Sequence, residues 1–320
     1  MLSRNYENET DFQKMRAFLI DARRVTGHYA GYWHIGGGLT WCTFLMSFRV
    51  DLRANIRLWE DRAGALVGFA IFGDDFSMDL QARPDARWQG IEEKMFAWAE
   101  TRWRESMDDP TIPQERTRDL FARVLVDDAP RIAFLEPHGF TRGDKPFLRF
   151  VRSLADPIPD PVLPDDFVVR GVAGENEITN RASAHREAFH PSRITDEGYA
   201  RLMRMSEYAR DLDVVAVPPD GTIAAYAMAW VDRANKVSEF EPVGTRPAFQ
   251  RKGLARAALL EGMKRMKARG AETALVSASG SETGAIRLYE SVGFRHVNTE
   301  VAYIKPNPQP PSLIGKGAGG

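Results

Sequence analysis

The chain has 320 residues, a formal net charge of −1, 43% hydrophobic and 27% charged side chains, and one cysteine, Cys42. That length exceeds a single ordinary core and predicts two domains, with the composition of a globular protein. Near-neutral charge excludes a global pull toward nucleic acid or anionic membrane, and a lone cysteine excludes an intrachain disulfide or a cysteine-built metal centre.

The opening stretch MLSRNYENETDFQKM mixes both charges and has no apolar centre, so no secretory signal is expected there. The longest apolar run, residues 223–231, falls well short of the roughly 20 residues a membrane helix needs. A cytoplasmic protein with neither membrane nor nucleic-acid partner is the expectation. Residues 10–25 carry helical spacing, with Phe12, Met15, Phe18 and Leu19 on one side. The stretch that follows, HYAGYWHIGGGLTWCTF, reads as a packed irregular segment, or as a groove wall whose glycines let chain or ligand approach closely. Cys42, flanked by Trp41 and Phe44, reads as packing rather than as a nucleophile.

Residues 56–60 and 66–72 form a predicted hairpin about residues 61–64, followed by a strand at 77–81 and a helix at 88–104. Residues 121–126 alternate as a strand, 131–135 form a short helix leading to Gly139-Phe140, and 147–154 form a further strand. Residues 153–165, SLADPIPDPVLPD, hold four prolines and three aspartates, the composition of a stiff linker.

The second half opens with a strand at 167–171 and a helix at 175–189, broken at His190-Pro191-Ser192-Arg193. A helix at 196–207 follows, capped by Thr195 or Ser192. Strands at 212–217 and 222–231 flank the turn Pro218-Pro219-Asp220-Gly221. Alternation over 238–245 predicts Glu239, Glu241, Val243 and Thr245 on one strand face, with Phe240 and Gly244 on the other. Pro247 has no amide to give and stops the strand. Gln250-Arg251-Lys252-Gly253-Leu254-Ala255 then opens a helical pattern with Ala255, Leu259, Met263 and Met266 on one stripe.

The first amides of a helix lack intrahelical partners and attract anions. Gly253 and Ala255 let backbone approach a phosphate, while Arg251, Lys252 and Arg256 add positive charge. We read this as a pyrophosphate cradle; the alternative is a basic helix start that meets only solvent. The GxxxxGK[ST] spacing and the three-glycine dinucleotide fingerprint are both absent. A strand at 275–279, a helix at 284–292 and a closing strand at 297–304 complete the pattern. The proline- and glycine-rich tail, 306–320, is expected to be disordered.

The order strand, Gln250-x-x-Gly253-x-Ala255, helix resembles the Q/R-x-x-G-x-G/A signature of the GNAT superfamily, the acyl-CoA-dependent N-acyltransferases. Downstream, Ala285-Ile286-Arg287-Leu288-Tyr289-Glu290-Ser291-Val292-Gly293-Phe294 resembles that superfamily's A-x-x-L-Y-x-x-x-G-F motif. The resemblance is specific over residues 166–305. The first half repeats the order more faintly, with Pro84, Arg87, Gly90 and Glu92 falling where Pro247, Gln250, Gly253 and Ala255 fall, and residues 134–140 where 288–294 fall. Glu92 replaces Ala255 and Leu135 replaces Tyr289, so the first copy is read as degenerate. The resemblance implies an α/β fold of two tandem domains, each a mostly antiparallel, twisted mixed sheet flanked by helices. The expected divisions are a degenerate domain at 1–154, a linker at 155–165 and a catalytic domain at 166–305. In layout the chain resembles the mycothiol synthases, a tandem group with one degenerate half.

What the resemblance implies for chemistry is acetyl transfer from acetyl-CoA to an amine, with no metal. The donor's diphosphate would sit on residues 250–256, including Leu254, and its pantetheine arm would pair with the strand at Val243, Gly244 and Thr245. Glu239 is the candidate base and Glu241 its competitor; two adjacent carboxylates repel, which raises one pKa toward the working range. Alternatively both only line an acidic groove that draws a cationic amine. Tyr289 is the candidate acid, or else a core tyrosine. Phe189, His190, Arg193 and Tyr199 are acceptor-contact candidates, His190 and Arg193 reading equally well as a solvated loop. The family's asparagine before the second motif is Glu282 here, with Ser277, Ser279 and Ser281 as nearby substitutes. The expected partner is a small-molecule amine. The readings kept beside it are an acyl-CoA sensor without turnover and a protein acetyltransferase, and neither acceptor identity nor oligomeric state is encoded in any motif.

Overall fold

Element ends in this chain fall at glycine, proline and capping side chains, and hydrophobic period decides what lies between them. A computed structural model describes residues 1–27, 31–108, 118–164 and 166–308. The expected tail therefore lies outside the described residues from 309 on, as do His28, Tyr29 and Ala30 of the aromatic stretch and Asp165 of the linker.

The first copy runs β1 (Leu2–Asn5), α1 (Glu9–Thr26), a π-helix (Ile35–Trp41), α2 (Cys42–Met46) and α3 (Leu52–Asn55). It continues with β2 (Ile56–Glu60), β3 (Leu66–Phe72), β4 (Met78–Ala82), α4 (Ile91–Glu105), β5 (Leu120–Leu125), α5 (Ala129–Leu135) and β6 (Thr141–Ser153). The second runs β7 (Val168–Gly171), α6 (Ile178–Ala188), α7 (Asp196–Met203), β8 (Asp213–Val217), β9 (Ala225–Asp232) and β10 (Val237–Thr245). Then come α8 (Leu254–Ala268), β11 (Thr273–Ser279), α9 (Thr283–Ser291) and β12 (Arg295–Lys305). Thr195, not Ser192, caps α7, accepting from the amide of Gly198 at 3.0 Å.

The chain packs as two compact units that are not contiguous in sequence. Unit 1 comprises Met1–Asp11, Asp51–Lys145 and the chain from Glu300 onward; unit 2 comprises Phe12–Val50 and Pro146–Thr299. The expected division falls at the proline-rich linker, whereas the packing carries α1 beyond Asp11, the π-helix and α2 into unit 2. No helix among the described residues is long and apolar enough to cross a membrane.

In unit 1, β1 to β4 form an antiparallel sheet in sequence order. Strand β5 pairs with residues 300–305 of β12 and meets the β4 end through one parallel bridge, Ser77 to Phe121. Trp103, Met95, Ala99 and Phe96 on one face of α4 pack over this sheet. In unit 2 the order is β6–β11–β10–β9–β8–β7, with β10 and β11 parallel and the other pairs antiparallel. Leu259, Leu260, Met263 and Met266 of α8 cover one face with Phe240, Phe150 and Val276. The α/β class and the sheets flanked by helices are as expected. The closing strands are exchanged: residues 147–153, from the first copy, complete unit 2 beside β11, and residues 300–305, from the second, complete unit 1 beside β5.

A polar cluster is sealed into unit 2. Arg181 on α6 is 3.0 Å from Asp213 at the start of β8, their side chains 1% and 0% exposed, and the Asp213 carboxylate also accepts from the Tyr199 hydroxyl. Removing one charge leaves the other buried without its partner. Asp213→Asn is expected to lower stability by about 3–5 kcal/mol in denaturant melts, while Asp211→Asn, a half-exposed position nearby in sequence, changes it little.

Candidate active site

Strand β10 carries the two candidate carboxylates, and its irregularity decides where they point. Glu239 pairs with Trp230 and Phe240 with Ala229, but Val243 pairs with Ala227, so β10 holds one extra residue between Phe240 and Val243. Such a bulge flips every later side chain. The expected alternation is corrected accordingly: Val243 shares its face with Phe240 against α8, while Gly244, opposite Tyr226, shares a face with Glu239, opposite Trp230. Gly244 must be glycine there, because a Cβ would lie 2.5 Å from the Tyr226 hydroxyl and 2.9 Å from Ala188 Cβ. The bulge is tied by Trp230 Nε1, which donates to the Glu241 carbonyl at 2.7 Å.

The same irregularity opens the sheet. β10 and β11 pair only at Val237, Ser238 and Glu239, after which β10 runs on to Thr245 and β11 to Ser279 without pairing to each other. The edge of β10 beyond Glu239, with Val243, Gly244 and Thr245, therefore offers backbone groups to an added extended chain.

Eight residues on, α8 starts without any side-chain cap on its first amides. Its N-cap, Gly253, has φ +77°, which an L side chain adopts only with strain, and nothing stands within 4 Å of the place a Cβ would take. Arg251, Lys252 and Gly253 are exposed, and Ala255 and Arg256 half-buried. Lys252 Nζ lies over the Phe249 ring at 5.2 Å. Uncapped amides, an open approach and three nearby cations fit a diphosphate.

The equivalent position in unit 1 is filled. Gly90 (φ +89°) is likewise the uncapped N-cap of α4, but Glu92 sits two residues in, where α8 has Ala255. Its carboxylate, 3% exposed as a residue, accepts from the Trp88 amide at 2.9 Å, so the loop's donor serves the chain's own anion. Burial pushes the Glu92 carboxyl up despite those donors and the charges of Arg131 and Arg87. The cavity among Glu92, Trp88, Arg131, Phe134 and Leu135 measures about 10 Å³, room for one water at most.

Sequence reading missed what meets Glu239. The glycine-rich stretch packs on β9 and β10 within unit 2: a Cβ on Gly36 would overlap Trp230 Cβ at 1.9 Å, and one on Gly37 would lie 2.4 Å from Glu239 Oε2. The Gly37 amide donates to Glu239 Oε2 at 3.0 Å, and His34 Nδ1 stands 3.2 Å from the same oxygen. Burial would raise the Glu239 pKa, but His34, with the charges of Arg149 and Arg23, outweighs it and holds the carboxyl below its ordinary value. Among the described residues Glu241 has no such donor; burial, then the charges of Glu239 and Glu282, push it up to about 8. The expected splitting of the pair is thus resolved with Glu239 as the ionised member.

Tyr289 is 6% exposed on α9, its ring 6.0 Å from that of Phe150 and 6.2 Å from that of Phe294. Burial, with the charges of Glu241 and Glu282, pushes its phenol up, so it stays protonated at neutral pH. Phe189 is 40% exposed and stacks on His185, whose Nδ1 lies 2.8 Å from the Ser192 hydroxyl. Burial, with Arg181 and Arg186 nearby, drives the His185 pKa down to about 3. His190 is exposed and Arg193 half-buried. Tyr199 is 1% exposed with its hydroxyl committed to Asp213, so packing leaves it no face for an acceptor. Glu282 is exposed just ahead of α9, and Ser279 and Ser281 bond each other at 2.8 Å. Among the described residues no three His, Cys, Asp or Glu side chains are grouped to hold a metal.

Comparison with known proteins converges on this unit. The Acetyltransferase (GNAT) family matches residues 180–294, which run from within α6 to just past α9 and include Glu239, Glu241, the β10 edge and the start of α8. Over those residues the chain is similar to the GNAT acetyltransferases. It is 29% identical over 216 residues to the mycothiol acetyltransferase of Nocardia farcinica, covering 60% of this chain and 71% of that protein. It is 26% identical over 270 residues to the mycothiol acetyltransferase of Nocardioides sp., covering 78% and 85%. Further matches of the same name take in 62% of the relative's length or less. In fold it resembles a tandem GNAT protein from the clavulanic acid biosynthesis pathway, with TM-score 0.65 at 15% identity over 96% of this chain and 99% of that one. The comparisons thus support an acetyltransferase of GNAT type, with a fold like that of a tandem GNAT protein.

Because some of Glu241's elevated pKa comes from the charge beside it, Glu239→Gln is expected to lower the Glu241 midpoint from about 8, though not to the ordinary carboxylate range, since burial is its larger cause. Carboxyl carbon NMR of the glutamate-labelled protein against pH reads this directly.

Proposed function

We propose that this chain moves an acetyl group from acetyl-CoA to the primary amine of a small molecule, with the reaction centred in unit 2. One observation carries the reading: an uncapped helix start at Gly253 and an unpaired β10 edge lead without a break to the ionised carboxylate of Glu239. The amides of residues 253–256, with Arg251, Lys252 and Arg256, would hold the diphosphate. Val243, Gly244 and Thr245 would pair with the amide-rich arm as an added strand. When bound, acetyl-CoA supplies a thioester carbonyl activated for attack by a neutral amine.

An amine arriving as ammonium must first lose a proton, and the acceptor must be unprotonated at working pH. Glu239 meets that condition and Glu241, protonated up to about pH 8, does not. Glu241 then acts as a hydrogen-bond donor whose proton limits repulsion within the pair. Tyr289, which keeps its proton at neutral pH, is assigned as the donor to the departing sulfur. Phe189, beside the Ala188 that touches Gly244, and His190 and Arg193 after it are assigned to the acceptor. The likeness to proteins named mycothiol acetyltransferases supports a small-molecule acceptor.

Free-thiol release from acetyl-CoA across a panel of small amines, aminosugars and peptides tests the reading. Turnover with small amines supports it. Tight acetyl-CoA binding without thiol release on any amine would make the chain a sensor, and preference for peptides would make it a protein acetyltransferase. Glu239→Gln is expected to cut kcat by about 10²–10⁴-fold with acetyl-CoA affinity unchanged, and Glu241→Gln to keep most activity below pH 8. Tyr289→Phe is expected to lower kcat by about 10²-fold. Ala255→Glu, which copies Glu92 into the cradle, is expected to weaken acetyl-CoA binding by about 100-fold in calorimetry.

A further inference from the structure

The clamp on Glu239 comes from the first sequence copy, and the proposed chemistry does not by itself call for it. The π-helix Ile35–Trp41 has His34 as its N-cap, with the Gly36 amide donating to His34 Nδ1 at 3.1 Å and the next amide, Gly37, donating to Glu239 Oε2 at 3.0 Å. Two successive amides at a helix start thus face a capping imidazole and a carboxylate, and a helix start favours the charged carboxylate. His34 is 3% exposed, and its other ring nitrogen, Nε2, is buried with no hydrogen-bond partner among the described residues. A buried polar atom left without a partner has a cost that some role must offset. Nδ1 lies within reach of both the Gly36 amide and Glu239 Oε2, and a neutral ring serves one of them at a time. A charged Glu239 favours the tautomer with its proton on Nδ1, which bonds the carboxylate and gives up the bond from the Gly36 amide.

We propose that His34 and Gly37 are positioning residues for the base: together they fix the Glu239 carboxylate in its orientation and keep it charged, so the second copy's chemistry depends on a segment of the first. This rests on the assignment of Glu239 as proton acceptor. The glycine is needed for space, because a Cβ at position 37 would occupy the carboxylate's place and also come within 3.0 Å of Glu241 Cβ. The other charged groups acting on Glu239 are Arg23 of α1, Arg149 of β6 and, on its own strand, Glu241, whose proton responds in turn to Glu282. All of them remain in the variants below, so a change in Glu239 titration reports the clamp.

The test uses the full chain labelled at glutamate carboxyl carbons, with Glu239 assigned through Glu239→Gln. In His34→Ala and Gly37→Ala the Glu239 midpoint is expected to rise, and each unit of rise leaves about ten-fold less of the ionised form at pH values below both midpoints. In turnover the acid limb of kcat/KM moves up with it, the loss of kcat is confined to pH values near and below the variant's raised midpoint, and the KM for acetyl-CoA holds steady. His34→Asn, which keeps an N–H donor close to the Nδ1 position, is expected to restore most of the loss, and His34→Gln, which carries its donor further out, is not. This pair decides the matter if the alanine variants fail to fold. A Glu239 midpoint and acid limb unchanged in folded His34→Ala and Gly37→Ala, or equal behaviour of the Asn and Gln variants, would overturn the inference. Full turnover in Glu239→Gln would overturn the catalytic assignment and this inference together, whereas an inactive Glu239→Gln beside a normal His34→Ala would overturn this inference alone.

Discussion

Two carboxylates two positions apart on one mostly covered strand cannot both stay charged unless donors are found for them, and this chain finds donors for only one. Glu239 takes the Gly37 amide and faces His34; Glu241 is left to hold its proton to about pH 8. Much of unit 2 follows from that asymmetry. The bulge after Phe240 turns Gly244 to the face of Glu239, Trp230 ties the bulge by its indole N–H, and Gly36 lets the π-helix settle on Trp230 so that the next amide reaches the carboxylate. At Gly36, Gly37 and Gly244 the approach is one that a single methyl group would prevent.

The two copies show how little is needed to keep a fold while giving up a site. Both have a left-handed glycine opening an uncapped helix, at Gly90 and at Gly253, because the turn from strand to helix demands that backbone whatever is bound. Their difference lies just inside the helix. Glu92 brings its own carboxylate to the loop amides and Trp88 closes over it, whereas Ala255 leaves the same amides open. The first copy then contributes elsewhere: residues 147–153 complete the second unit's sheet, and residues 34–37 reach Glu239. A fragment beginning at the linker would lack both, so the second copy in sequence is not the same object as the second unit in space.

The cradle was legible because everything that builds it lies within about a dozen residues. Pro247 ends the strand, Gly253 sets the left-handed turn, and the apolar stripe of α8 fixes the helix phase, each through local stereochemistry. The carboxylate pair was legible for the same reason, and so was the splitting of its pKa values, since two residues on one strand must feel each other. The face of Val243 was not. An alternating pattern carries no mark of an inserted residue, and the bulge is defined only by the register against β9. Tyr199 misled because the resemblance assigns its segment to the acceptor, whereas its hydroxyl is bonded to the buried Asp213.

By itself, then, the sequence determined the element order, the uncapped glycine-led helix start, the adjacent glutamates and the glutamate that fills the equivalent place in the first copy. Only the tertiary structure decided which strand completes which unit, which carboxylate keeps its charge, and what holds it there. The physical reason is range. The bond from Gly37 to Glu239 joins positions 202 residues apart and is made by a backbone amide, a donor that every residue but proline carries. No side-chain pattern announces such a contact, and it exists only once both strands and the π-helix are in place.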